Sequence, residues 1–224
     1  MKNSNKILGI MAACAFAGLF LLNGYSFVIS ISSYQWGGYL HTDNFMWISI
    51  FLTAAVIVCF FLVALGCFIR KKGLQKTGLV LLTVVDICSI IFSYYYLRYV
   101  ANNFMTYNKT PAFFSYCMYF AELAYALLLL MAMRIPAKSR LLGIIAAAVY
   151  TTAFAWCNIA LEASFSVLGV IYILLIISGA VLFGYLIRNM ETELQQIPAW
   201  VCSECGAENQ ISRMNCAECG KQRT

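Results

Sequence analysis

Six times along the chain, polar residues give way to a long apolar run, at 7–31, 47–69, 77–97, 112–133, 141–161 and 165–187. Each exceeds the roughly 18 residues that mark a helix able to cross a bilayer. At ~1.5 Å of rise per residue, a helix of about 20 residues matches the ~30 Å hydrocarbon layer. The pattern predicts an all-α polytopic membrane protein, with a six-helix transmembrane bundle over residues 1–187. Residues 188–199 then read as a polar, helix-compatible linker that Pro198 breaks, and residues 200–224 as a separate small module.

Composition changes this picture little. The chain is 62% hydrophobic and 11% charged, far below the ~25% charged content of soluble domains, so lipid is the solvent for most of it and disorder is excluded. The net charge of +6 would suggest an acidic partner elsewhere, but here the basic residues mark topology. Lys2 and Lys6 precede the first span; Arg70, Lys71, Lys72 and Lys76 follow the second; Arg134, Lys138 and Arg140 follow the fourth; the rest begin at Arg188. Only Arg98 and Lys109 occupy the alternate connections, leaving 13 of the 15 basic residues on one side. The positive-inside rule places both termini in the cytosol. Trp36, Tyr39, Trp47 and Tyr94 to Tyr96 fit an aromatic belt at the outer surface. Met1 to Leu22 also has the form of a secretory signal, but no small-residue cleavage site follows, so it is expected to remain as the first span. Asn108-Lys109-Thr110 matches a glycosylation sequon, and Pro111 directly after it makes a chance match the better reading.

Of the ten cysteines, Cys14, Cys59, Cys67, Cys88, Cys117 and Cys157 lie in apolar runs, where a thiol behaves as a small apolar residue. The other four differ. Cys202-x2-Cys205 and Cys216-x2-Cys219, ten residues apart, supply the four thiolates of a closed, structural Zn2+ site. Gly206 and Gly220 follow each pair, where a tight turn favours positive φ. Eighteen residues from Cys202 to Cys219 cannot bury a self-sufficient core, so the metal, worth roughly 10 to 16 kcal/mol in small zinc domains, would supply the folding energy.

Through Cys202-Ser203-Glu204-Cys205-Gly206-Ala207-Glu208-Asn209 and Cys216-Ala217-Glu218-Cys219-Gly220-Lys221 the last ~25 residues resemble the short prokaryotic zinc ribbon. That resemblance implies a bacterial or archaeal membrane protein with a structural or protein-interaction module in the cytosol. The stretch is also similar to the Ran-binding-protein type of zinc finger, whose spacing Trp200, the four cysteines and Asn209 share. Functional residues of that family carry over poorly. Gly206 and Ala207 stand where ubiquitin-binding members have Thr-Phe, and only Arg213 stands in the loop where RNA-binding members carry several arginines. From Trp200 to Thr224, Arg213, Lys221 and Arg223 balance Glu204, Glu208 and Glu218. A neutral module lacks the electrostatic footprint of a nucleic-acid binder, so Trp200 is read as a packing lid.

Two carboxylates interrupt the spans, Asp86 in the third and Glu122 in the fourth. An Asp at the centre of a membrane helix costs ~2.5 to 3.5 kcal/mol, and such residues usually face the bundle interior. Counted from the cytosolic ends of their helices, their depths differ by only ~3 Å at 1.5 Å per residue. Thr83, Asp86, Ser89 and Ser93 share one helical stripe; Ser115, Tyr119, Glu122 and Tyr125 share another; Thr151 and Asn158 offer a weaker third. Asp86, Glu122, Ser89, Tyr119 and Tyr125 are therefore a candidate proton or cation site, or else interhelical hydrogen-bonding glue.

No enzyme is expected. His41 is the sole histidine and lies in a connection, which removes bis-histidine haem, histidine-rich zinc and Ser-His chemistry. Neither a Gly-x-Gly-Asp motif nor a Gly-rich phosphate loop is present. The function expected is a multi-pass adaptor or sensor in a cell membrane, the bacterial inner membrane on the ribbon resemblance, that recruits a cytosolic protein through the ribbon. The alternative is a small proton- or cation-coupled transporter or channel subunit using Asp86 and Glu122. Homo-oligomerisation is left open.

Overall fold

The computed structural model describes residues 2–36, 44–103, 110–162, 167–195, 200–209 and 214–222. His41, Asn108, Lys109, Pro198 and Arg213 lie outside them, as do the side chains of Trp36, Ser115 and Asn158. The chain divides into two compact units, Met1–Arg188 and Asn189–Thr224.

Six helices follow the six apolar runs: α1 (Lys2–Trp36), α2 (Asn44–Phe68), α3 (Lys72–Asn103), α4 (Thr110–Arg134), α5 (Ser139–Glu162) and α6 (Val167–Gln195). All six carry a stretch long and apolar enough to cross a membrane. Their outward faces confirm the solvent. Phe51 is 72% and Val167 76% exposed, among many other large apolar side chains, an arrangement that water would not tolerate. Trp47, Tyr94 and Tyr95 are exposed on the surface of the bundle, as an interfacial belt requires.

Each helix from α1 to α5 packs on the next. The ring closes through α6, which meets α5 where Ser139 Oγ donates to the Gly184 carbonyl (2.8 Å) and meets α1 where Phe16 and Phe183 stack edge to face. Small residues set these approaches. A Cβ on Gly143 would lie 2.5 Å from the Ala180 carbonyl oxygen, and one on Gly184 equally close to that of Ser139. Gly66 and Gly78 hold α2 and α3 together in the same way, against Gln75 and Val63.

The α2–α3 connection is the tightest. Arg70 takes φ 54°, while Lys71 N–H donates to the Gly66 carbonyl (2.9 Å) and Arg70 N–H to that of Cys67 (3.2 Å), the hydrogen-bond pattern of a Schellman cap. A non-glycine residue there costs roughly 1–2 kcal/mol, and in return a positive charge stands at the helix end. At the α4–α5 connection, Pro136–Lys138 form a single 3-10 turn.

The core is concentrated toward the end of the bundle that carries the α2–α3 and α4–α5 connections, hereafter the basic end. Phe16, Leu19, Phe60, Leu82, Leu129 and Phe183 are fully buried there. Cys59, Cys67 and Cys157 are buried as small apolar residues, whereas Cys14 and Cys88 lie on the exposed surface.

In the second unit, β1 (Trp200–Val201) and β2 (Glu208–Asn209) pair antiparallel, with Trp200 opposite Asn209 and Val201 opposite Glu208. A second bridge joins Asn215 and Gln222.

Candidate metal centre and buried carboxylates

Two turns of the same design carry the four cysteines. In the first, Cys202 N–H donates to the Ala207 carbonyl and Gly206 N–H to that of Cys202, both at 2.9 Å. In the second, Cys216 N–H donates to Lys221 (2.8 Å) and Gly220 N–H to Cys216 (3.0 Å). Closure requires a left-handed residue, and Gly206 and Gly220 adopt φ 70° and 73°.

The turns face each other. Cys202 Sγ lies 3.5 Å from Cys219 Sγ and Cys205 Sγ 3.5 Å from Cys216 Sγ, and all four sulfurs fall within 4.8 Å of one another. A tetrahedral ion with bonds of ~2.3 Å would space its sulfurs about 3.8 Å apart, so the cradle fits one metal ion. Asn209, almost fully buried, ties the turns together. Its Oδ1 accepts from Ala217 N–H (2.7 Å), and its Nδ2 donates to the Ala207 carbonyl (2.9 Å) and to Cys216 Sγ (3.4 Å).

Backbone N–H groups prepare two of the thiols for ionisation. The Cys219 N–H, aided by Glu218 and Asn209, brings the Cys216 thiol down to about 6; the Cys205 and Glu204 N–H groups lower Cys202. For Cys205, the Ala207 N–H pulls downward, but the sulfurs of Cys216 and Cys219 outweigh it and raise the thiol to about 12. Four sulfurs this close cannot all be anionic without a cation between them. Lys221 and Glu204 form an exposed ion pair at the rim, worth at most about 1 kcal/mol.

In the bundle, Asp86 is 0% and Glu122 7% exposed, and the field of Glu122 reaches Asp86. Ser89 and Tyr125 are also buried and Tyr119 is half-buried. Among the described residues, neither Asp86 oxygen, nor Ser89 Oγ, nor the Tyr125 hydroxyl has a hydrogen-bond partner. On the third stripe, the Thr151 hydroxyl donates to the Ala147 carbonyl (2.6 Å) of its own helix. Thr83 likewise bonds Leu79 (2.9 Å).

Instead, α5 and α6 contribute tyrosines. The fields of both carboxylates reach Tyr119, Tyr150 and Tyr172, and also Cys59 on α2. The Tyr125 and Tyr150 rings lie 5.3 Å apart and the Tyr150 and Tyr172 hydroxyls are 3.2 Å apart, while the Asn23 amide donates to the Leu19 carbonyl of its own helix (2.8 Å). Tyr150 and Tyr172 had a weak signature in the sequence: both lie inside a span rather than at its rim. Comparison with protein-family models, with curated proteins and with solved structures yields no match to this chain.

Proposed function

We propose that this protein is a membrane adaptor whose bundle anchors a cytosolic zinc ribbon, and that the ribbon recruits a protein partner. The observation that carries the reading is the closed four-cysteine cradle. With four thiolates bound, zinc has no open position for substrate or water, so its role is to fold the module rather than to catalyse. The short strand pair, the two matched turns and the Asn209 bridge together make a small rigid platform. Val201 and Met214 stand exposed on it, and its neutral balance of charge suits a protein surface better than a nucleic acid.

Cross-linked co-purification of the full-length protein from its own membranes tests this. The wild type should retain a defined partner that Cys202→Ser loses, and that the zinc-loaded double variant Val201→Asp, Met214→Asp also loses. Identical partner profiles for the three proteins would remove the basis for the adaptor reading.

A further inference from the structure

We propose that Asp86 and Glu122 form a proton-binding site inside the bundle that is reached from one face of the membrane only, the face opposite the basic end. The first step is charge. The helices packed against α3 carry Cys59 on α2, and Tyr119, Glu122 and Tyr125 on α4; Tyr150 on α5 joins them through its ring, 5.3 Å from that of Tyr125, and Tyr172 on α6 through its hydroxyl, 3.2 Å from that of Tyr150. Every one of these groups is acidic, and among the described residues no Lys, Arg or His side chain is placed against the pair. Two carboxylates in a low-dielectric interior with no cationic partner cannot both be ionised, so at least one proton resides on them. Asp86 is wholly buried and accepts no hydrogen bond from any described residue, so protonation is what neutralises its charge.

The second step is access. Toward the basic end, Tyr125 ends the polar stripe of α4, its hydroxyl beside Gly179 and without a hydrogen-bond partner among the described residues; otherwise these turns are apolar and closed: Leu79, Leu82 and Leu129 are fully buried, and Phe16 contacts both Phe60 and Phe183. Gln75 lies beyond this plug, with its amide on the Gly66 carbonyl. Toward the opposite end, polar groups continue. Ser89 and Ser93 follow Asp86 on the same buried stripe of α3, and the Tyr150 and Tyr172 hydroxyls pair between α5 and α6. Paired hydroxyls can hand a proton along; leucine and phenylalanine cannot. The result is a proton well rather than a through path, and it stands independently of the cysteine module.

Infrared difference spectroscopy on the full-length protein in lipid vesicles tests the protonation. A protonated-carboxyl C=O band should be present at neutral pH, shift on 13C labelling of Asp and Glu, and be lost in Asp86→Asn, Glu122→Gln; the isotope shift in the wild type stands even if that variant fails to fold. Access is read with a membrane-impermeant thiol reagent, in a chain whose six membrane cysteines are replaced. Ser93→Cys should react at least tenfold faster from the face opposite the basic end, and Leu82→Cys from neither face. Absence of the band overturns the proposal, as does its loss on adding sodium or potassium chloride at constant pH, which would make the site a metal-cation site. Labelling of Ser93→Cys from the basic face, or a proton flux across the vesicle that the double variant abolishes, overturns the one-sided access and points to transport.

Discussion

Replacing Asp86 separates a carboxyl that binds helices together from one that does not. If Asp86 were interhelical glue, removing it would cost the ~0.6 to 1.7 kcal/mol measured for hydrogen bonds between membrane helices. Both its oxygens are buried without a partner among the described residues, so Asp86→Asn, nearly identical in shape, should lie within about 0.5 kcal/mol of the wild type, as for substitutions that break nothing. Asp86→Leu removes a centre-of-membrane penalty of ~2.5 to 3.5 kcal/mol and adds an overpacking cost of ~1 to 3 kcal/mol; the balance is a gain of about 1 kcal/mol. Ser139→Ala is the internal control, because Ser139 Oγ does bridge to Gly184 (2.8 Å) and its loss should cost ~1 kcal/mol. Reversible unfolding in mixed micelles, followed by circular dichroism, measures all three. A loss above ~1.5 kcal/mol for Asp86→Asn, the size of a strong interhelical bond, would show instead that Asp86 binds neighbouring helices together.

Three further outcomes are expected. Asn209→Ala removes the bridge between the cysteine turns and should weaken zinc binding ~10- to 100-fold, the usual cost of losing an outer-shell ligand partner; competition with a chromophoric chelator reads this directly. Gly143→Ala and Gly184→Ala each place a Cβ 2.5 Å from a carbonyl oxygen across the α5–α6 contact and should destabilise the bundle by ~1 to 3 kcal/mol, whereas alanine at Gly24, with nothing within 4 Å, should not. Zinc affinity should fall as pH is lowered, because binding needs all four thiolates and Cys205 without metal holds its proton up to about 12; calorimetry in buffers of different ionisation enthalpy should show protons released on binding, and none released would contradict the four-thiolate shell.

The spans were legible because lipid demands some 20 apolar residues in a row. Their ends were not: α3 runs on to Asn103 and α6 to Gln195, since helix-compatible polar residues leave no mark where the hydrocarbon stops. The inward face of each helix was harder still. In a membrane, both lipid-facing and core-facing residues are apolar, so no amphipathic stripe shows which way Tyr150 or Tyr172 points. Asp86 and Glu122 stood out because charge is expensive at that depth, whereas Thr151 gave a fainter signal because a hydroxyl can satisfy itself on its own helix. The cysteine module was legible from spacing alone, because coordination geometry dictates it. The Asn209 bridge depends on how the two turns meet, which spacing does not express.

Whether the cysteine module folds around a closed zinc site is decided most directly by the metal itself. Elemental analysis and X-ray absorption on the full-length protein purified in detergent should find one zinc per chain with four sulfur neighbours at ~2.3 Å, lost in Cys202→Ser, Cys216→Ser. A shell containing nitrogen or oxygen, a different metal, or no metal with the four cysteines paired as disulfides would contradict it.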